Sequence, residues 1–304
     1  MFSKHDIEKE FGKGINILPF NKENIKGNSI NLTVSRYAWS LGSGSVVRDA
    51  EKGFVLQKDG SNGSNQSEKA ICIEKGRSAV IKYKGTPYVV LLPHTTTIVE
   101  TNEVIGVDKY IGGTLHSKVG VVAQGVGALG TMLGPNFAGH LMISLHNITD
   151  EVISIPVDDT FVSIVFHRLD TPSRDKNNPN ISGHVDKLSE LGISIDGQTR
   201  EYLLKDWKCS VDTIRDQLTS SDKYKEYKSQ AFKNKCKHFL KYLNLKNIVS
   251  ALIAMVIVFG GGRLAQHLDS NSASTIWTDR YWTVISASII VPIITNVLKW
   301  FKAE

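Results

Sequence analysis

Residues 140–147 alternate between polar and hydrophobic side chains, a period of two that is typical of a β-strand with one buried face. Leu141, Ile143 and Leu145 share the hydrophobic face. The stretch that leads into this strand, 115–139, is rich in valine and glycine, which favours short strands joined by tight bends. The pattern predicts a core on one side of the strand and, on the other side, a face that can line a cavity.

Short strand-like segments fill the first half of the chain. A helix at residues 5–11, with Ser3 as its cap, precedes them. The strand-like segments are 15–20, 29–34, 70–74, 79–82, 88–92, 95–100 and 161–170. Many short strands at this spacing predict an all-β barrel or sandwich.

The character of the sequence changes after residue 170. Residues 171–180 have the composition of a linker, helices are predicted at 185–191 and 199–217, and a lysine-rich helix follows at 220–245. We therefore divide the chain into three parts: a β domain at 1–170, a linker with a lysine-rich helical region at 171–246, and a carboxyl-terminal region at 247–304.

Two apolar segments lie in the carboxyl-terminal region, at 248–262 and 281–298. The second is uncharged throughout and is flanked by tryptophans, which favour membrane interfaces. The first is short for a span of about 20 residues and needs residues beyond Arg263 to complete it. Together they predict a transmembrane helical hairpin. Two buried helices of a soluble domain are the alternative.

The distribution of lysines predicts the orientation of this hairpin. Lysines precede the first span, and Lys299 and Lys302 follow the second, whereas the loop between them has only Arg263 and Arg280. By the positive-inside rule both termini and the β domain face the cytoplasm. The predicted location is therefore the inner (cytoplasmic) membrane, with the lysine-rich helix against anionic headgroups.

Charge and cysteine content indicate the kind of partner and the cellular compartment. The net charge of +6 suggests an anionic partner, and much of the excess lies in the lysine-rich segment. We expect no signal peptide, because residues 1–13 are charged. Cys72, Cys209 and Cys236 are widely spaced and odd in number, which fits a reducing cytosol and neither a disulfide framework nor a zinc site.

Three motifs follow one another along the chain: LHSK at 115–118, GPNFAG at 134–139 and ISLHN at 143–147. In this order and spacing they resemble the dCTP deaminase and dUTPase family of trimeric β-barrel nucleotide enzymes. The resemblance extends to segments 3–7, 14–20, 28–32, 92–93 and 161–170, and to Glu103. It covers about residues 3–170. It implies a mainly β fold, a dUTPase-like β-barrel or jelly roll, as a homotrimer with a nucleotide cleft between subunits.

The departures from this family bear on activity. Family members use a glutamate on the last motif strand as the general base that activates water, and Ser144 stands at that position. A serine hydroxyl cannot take a proton near neutral pH without a base of its own. The two motif arginines fall at His116 and Val121, and valine offers phosphate no hydrogen bond.

Three further family positions are changed. A motif aspartate falls at Gly134, an early aspartate at Asn31, and the closing glutamine at Ser163. With so many charged or polar roles altered at once, we expect a retained fold that has lost the deaminase reaction.

The resemblance also gives the candidate site. No catalytic residue is predicted. The predicted nucleotide-binding residues are His116, Ser117, Lys118, Gly134, Asn136, His140, Ser144 and Ser163. No cofactor is expected, although Mg²⁺ would accompany a bound nucleoside triphosphate. The expected partners are a nucleotide, the lipid bilayer and further copies of the chain in a homotrimer, and no nucleic acid is expected.

Three functions remain open. The first is a membrane-anchored, catalytically degenerate module that binds a nucleotide and signals to its transmembrane helices, for example as a membrane effector in antiphage defence. The second is a membrane-tethered enzyme of the dCTP deaminase or dUTP pyrophosphatase type, with His116, His140 or His146 in place of the glutamate. The third is a trimeric membrane scaffold that binds no ligand.

Overall fold

A computed structural model describes most of the first 242 residues. The described residues are 1–49, 51, 53–57, 70–128, 131–173 and 182–242, followed by 259–261, 263–264, 266–267, 269–270 and 280. The chain divides into two compact units, Met1–Lys228 and Ser229–Glu304.

Strands are the main secondary structure of the first unit. They are β1 (Ile15–Leu18), β2 (Ile30–Ser40), β3 (Gly44–Asp49), β4 (Gly53–Leu56), β5 (Ile71–Ile73), β6 (Val80–Tyr83), β7 (Thr86–Leu91), β8 (Thr96–Val107), β9 (Ile111–Ser117), β10 (Val126–Ala128), β11 (Met132–Leu133), β12 (Ala138–Asn147), β13 (Ile153–Pro156) and β14 (Thr160–Arg168). The mainly β character predicted for this part of the chain is confirmed.

The largest sheet is antiparallel and has eight strands. Its strand order is β10-β12-β8-β2-β14-β9-β11, and β1 also pairs with β8. Because β10 lies against β9 as well, the sheet curls back toward itself. Two smaller sheets, β13-β7-β6 and β4-β3-β5, complete the β part of the described chain.

The core follows from the alternation along the strands. Ile30 and Leu32 of β2, Leu115 of β9, and Ile164 and Phe166 of β14 all belong to one buried cluster. Because successive side chains point to opposite faces, the residues between them face away from this core. That outward face carries most of the polar side chains considered below.

Six α-helices occur among the described residues up to 242. They are α1 (Lys4–Glu10), α2 (Val119–Val122), α3 (Val185–Glu190), α4 (Gly197–Leu203), α5 (Val211–Ser220) and α6 (Asp222–Tyr242). The predicted cap of α1 is confirmed: the Ser3 side chain accepts the Asp6 N–H, and the Asp6 carboxylate accepts the Ser3 N–H.

The segment after the last strand covers part of the outward face. Leu188 of α3 and Leu203 of α4 pack with Trp39 and Ile98 of the sheet. Ile214 of α5 packs against Val104. The helix predicted at 199–217 is in fact interrupted by a 3₁₀ turn, Asp206–Lys208, which brings Lys208 onto the sheet.

The membrane part of the predicted fold class, and the inner-membrane location drawn from it, are corrected. Within the described residues no helix is both long and apolar enough to cross a bilayer. The longest described helix, α6, is rich in lysine, and charged side chains are costly in hydrocarbon. The predicted spans 248–262 and 281–298 fall almost wholly outside the described residues.

Candidate functional site

A row of three polar residues crosses three neighbouring strands. Ser163 of β14 lies opposite Asn31 of β2 on one side and opposite His116 of β9 on the other. The Ser163 hydroxyl donates to Asn31 Oδ1 at 2.8 Å. We call Asn31, Ser163 and His116 the polar row. Its burial is graded, since Asn31 is 5 % exposed, Ser163 is half-buried and His116 is exposed.

A second hydroxyl lies beside the row. Thr114 Oγ1 is 3.0 Å from His116 Nε2 and 3.5 Å from His167 Nε2. Thr114 and His116 are two residues apart on β9 and therefore share the outward face. The strands thus present hydroxyl, amide and imidazole groups on one surface, and all three can donate to or accept from a polar ligand.

Ser117 and Lys118 end strand β9. The Lys118 backbone N–H donates to Phe161 O at 3.0 Å, which fixes the strand end against the neighbouring segment. The Lys118 side chain is half-buried and follows the polar row by two positions. Ser117 lies between them, and strand alternation directs its side chain to the opposite face from His116.

Gly134 and Asn136 lie at the other end of β9. They follow β11, and the carbonyl of Leu133 lies against Gly112. The Asn136 N–H donates to Asp108 O at 3.3 Å, and Asn136 adopts a left-handed backbone with φ of 60°. Since four residues separate Gly112 from His116, this loop is about 13 Å from the polar row along the strand.

The two predicted residues of β12 form a third group. Ser144 is half-buried and lies opposite Ile98 of β8. In the sheet order, β8, β2 and β14 lie between β12 and β9 on one side, and on the other side β10 lies between them, because it pairs with β12 and contacts β9. One chain therefore brings together His116, Ser163 and the neighbouring Lys118, while its Gly134 loop lies at the far end of β9 and its Ser144 lies on the strand beyond β10.

His140, the remaining predicted residue, is covered by the segment after the barrel. Its Nδ1–H donates to Thr101 O at 2.9 Å, so Nε2 is the acceptor for Lys208 Nζ at 3.0 Å. Lys208 is buried, donates to Tyr202 O at 2.8 Å, and its Nζ lies 3.2 Å from the centroid of the Tyr202 ring. Burial and the Lys208 charge lower the pKa of His140 to about 3.

The pKa of Lys208, the partner of His140, is lowered as well. Burial, and next the charge of Lys205, lower the pKa of Lys208 to about 8. The ammonium retains two acceptors and an aromatic face, which are the interactions that stabilise a buried cation. We conclude that His140 is a neutral acceptor inside the covered part of the sheet.

Two buried glutamates on β8 were not among the predicted site residues. Glu103 is 3 % exposed, and its two oxygens accept the Thr33 N–H and the Thr33 hydroxyl, each at 2.9 Å. Glu100 is fully buried, and neither of its oxygens has a hydrogen-bond partner in the described part of the chain. Burial raises the pKa of Glu100 well above its ordinary value.

Glu103 and Asn31 line the same small cavity, together with Asn21 and Asn24. The cavity has about 10 Å³ for the centre of a water molecule, which is about the space that one water needs. The sequence offered one signal for Glu100 and Glu103: charged residues inside a run of β-branched residues are unusual, because a strand of that composition is normally buried.

A metal centre is not formed by side chains within the described ranges. Among these residues no group of three or more histidines, cysteines, aspartates or glutamates is arranged to hold a metal ion. The expectation that Mg²⁺ accompanies a bound triphosphate stays a prediction.

Comparison with known proteins gives only distant likenesses. No family model and no curated protein matches the sequence. The solved structures it resembles are dCTP deaminases and dUTPases. The dCTP deaminase of Agrobacterium tumefaciens matches with a TM-score of 0.36 and 13 % identity over 56 % of this chain, which spans 48 % of that protein.

Two dUTPases are similar at a comparable level. The EIAV dUTPase has a TM-score of 0.26 and 18 % identity, with 47 % of this chain and 99 % of that one covered. The dUTPase from phage phi11 of S. aureus has a TM-score of 0.26 and 13 % identity, with 44 % of this chain and 94 % of that one covered.

Proposed function

We propose that the β domain binds a nucleotide at the polar row and does not deaminate it. The observation that carries this proposal is the row itself: Asn31, Ser163 and His116 lie side by side on three strands, exposed at the His116 end, with Lys118 two residues beyond. Hydroxyl and imidazole groups bind phosphate oxygens, and a lysine adds a positive charge. A nucleotide supplies both the anion and the polar edges that such a surface can hold.

The proposed loss of deamination is supported by the absence of a suitable general base among the residues considered. Ser144 occupies the strand position where the resembling family has its general base, and a serine needs a separate base. Among the histidines suggested as substitutes, His140 is buried and its Nε2 already accepts a hydrogen bond from Lys208. His146 Nδ1 lies 2.8 Å from Thr96 Oγ1 on the same strand pair.

The proposal includes a homotrimer. In one chain, the Gly134 loop lies at the far end of β9 from His116, so a neighbouring copy would have to bring such a loop to the row for both to meet one ligand. The resemblance to a family of trimeric enzymes supports this assembly. The antiphage role is not part of the proposal, because it depended on the transmembrane hairpin.

Binding and turnover can be measured on the full-length chain in one experiment. We would incubate it with dCTP or dUTP and follow both the unfolding temperature and the products by chromatography. A ligand at 100 times its dissociation constant adds about 2.7 kcal/mol of stability. We expect stabilisation without product. Deaminated product from dCTP would overturn the second half of the proposal, and no stabilisation by either nucleotide would overturn the first.

Two variants locate the site. The double substitution His116→Ala/Lys118→Ala should abolish the stabilisation, because it removes the imidazole of the row and the adjacent cation. Lys82→Ala is the matched control, since this exposed lysine lies on β6, in a different sheet. If the double variant still binds as tightly as the native chain, the ligand does not lie on the polar row.

A further inference from the structure

A buried carboxyl group adjoins the polar row without belonging to it. Glu103 is bound through both oxygens to Thr33, which is two residues from Asn31 on β2. Residues two apart on a strand share a face and are about 7 Å apart. Glu103 and Asn31 also line one cavity. The carboxyl group is therefore next to the buried end of the row.

The surroundings of Glu103 make its negative charge unfavourable. Burial raises the pKa of Glu103 most, and the negative charge of Asp158 raises it further, whereas the two hydrogen bonds from Thr33 lower it. The net result is a pKa of about 7 for Glu103. Asp158 is held close by a hydrogen bond from Asn102 at 3.2 Å, and no ion pair links Glu103 to a basic group among the described residues.

We propose that an anionic ligand binds to the polar row together with one proton, which is taken up by Glu103. The physical reason is electrostatic: a ligand phosphate at His116 is two strand spacings, or about 10 Å, from Asn31 at the buried end of the row. It adds a second negative charge to that of Asp158, and charges interact over such a distance more strongly beside a buried group than in water. In a buried site such a charge favours the protonated acid. The proton comes from solvent on binding and returns to it on release, and no covalent bond changes.

This inference depends on the proposed function, because it needs an anion on the row. It adds a regulatory property to that site: affinity should fall as pH rises through neutrality. If free Glu103 titrates near pH 7 and the bound form at a higher pH, the dissociation constant should increase about tenfold between pH 6 and pH 8.

Calorimetry with dCTP on the full-length chain tests the proton directly. Binding heats measured at pH 7 in two buffers of different ionisation enthalpy give the number of protons taken up. We expect the native chain to take up about half a proton more than Glu103→Gln, since half of the free carboxyl groups are already protonated near that pH. The triphosphate takes up the same number of protons with both proteins, so subtracting one value from the other cancels its contribution.

Between pH 6 and pH 8, the affinity of Glu103→Gln for dCTP should change by about tenfold less than that of the native chain, because the contribution of Glu103 is removed while those of the triphosphate and the other groups of the site remain. Glu74→Gln is the matched control, because Glu74 is exposed and lies in another sheet region after β5, and it should behave like the native chain. A second variant tests the inference without changing the buried site. Asp158→Asn removes the neighbouring charge but keeps Glu103. Asp158 lies in a surface turn with a φ of 73°, which asparagine tolerates well.

Asp158→Asn should shift the midpoint of the pH dependence to lower pH while dCTP binding at pH 6 is retained. Equal proton uptake by the native chain and Glu103→Gln would overturn the inference and leave nucleotide binding intact. An unshifted midpoint in Asp158→Asn would also count against it. If the native chain binds neither dCTP nor dUTP at any pH, the proposed function is overturned, and this inference with it.

Discussion

At the residue scale, the two glutamates of β8 differ in their partners. Glu103 has two hydrogen bonds from Thr33, whereas Glu100 has no hydrogen-bond partner in the part of the chain that the structure describes. Glu100 is covered by Leu203 and by Gly183, whose positive φ of 65° lets the backbone approach closely. A carboxyl group in such a place is favoured in its neutral form.

Replacing Glu100 by glutamine should change how stability depends on pH. The folded pKa of Glu100 is raised, so the folded chain holds the proton at pH values where the unfolded chain has released it. Its contribution to stability is therefore full below the unfolded pKa and is lost as pH rises toward the folded pKa. Glu100→Gln should match the native chain near pH 4 and exceed it at pH 8, with the gap growing by about 1.4 kcal/mol per pH unit.

Denaturant unfolding at a series of pH values measures this gap. Glu201→Gln is the control, because Glu201 is exposed on α4, which lies in the covering segment. It should follow the native chain throughout. A Glu100→Gln variant that runs parallel to the native chain at all pH values would mean that Glu100 does not hold its proton in the folded state.

The sequence could not place these side chains on its own. Sequence motifs identified Ser163 and Asn31 as separate positions, but their contact joins residues 132 positions apart and depends on the register of β14 against β2. The bulge between Val34 and Ala38 shifts the pairing of β2 with β8, and a bulge leaves no periodic signal. The carboxyl group of Glu103 reaches Thr33 only through that register.

At the element scale, helix α6 is fastened to the β domain by its first turns. The Tyr224 hydroxyl donates to Phe11 O at 2.8 Å, and its ring lies 5.7 Å from Phe20 in an edge-on arrangement. Gly12, with a φ of 80°, lies against the same tyrosine, where a side chain would collide with its ring. One buried tyrosine therefore fixes where the lysine-rich helix begins.

Tyr224→Phe should loosen this attachment without removing the ring. The loss of one buried hydrogen bond should lower the free energy of unfolding by about 0.5–1.5 kcal/mol. Hydrogen exchange should be faster in the first turns of α6 and unchanged in the central strands. Tyr227→Phe is the control: its half-buried ring also contacts Phe20, but no hydrogen bond of its hydroxyl occurs within the described contacts. Equal stability of Tyr224→Phe and the native chain would show that the hydroxyl is not needed for docking.

The elements differ in how well their sequences predict them. The alternation at 140–147 predicted β12 correctly, because one buried face imposes a period of two. The helix predicted at 199–217 was interrupted instead. Leu203 and Ile214 each face the sheet, and the 3₁₀ turn between them is held by the contact of Lys208 with His140. That long-range contact cannot be inferred from helical periodicity.

At the scale of the whole molecule, apolar side chains are exposed around the polar row. Met132 is 79 % exposed and lies opposite Thr114, on the face of the sheet that carries His116. Val119, 84 % exposed, follows Lys118 at the start of α2. Exposed apolar side chains beside a polar site are a feature of surfaces that bind another protein. This surface is where the proposed homotrimer would be formed.

Sedimentation equilibrium of the full-length chain should therefore give three times its 33.6 kDa mass. The double substitution Val119→Lys/Met132→Lys should yield monomers that remain folded, because both side chains are exposed and charged residues would repel their counterparts across a symmetric contact. Leu191→Lys, at an exposed position after α3, should stay trimeric. The trimer also predicts that the monomeric variant does not bind the nucleotide, since the Gly134 loop and His116 lie at opposite ends of β9 in one chain. A monomeric native chain that binds dCTP would place the whole site within one protomer and overturn the proposed assembly.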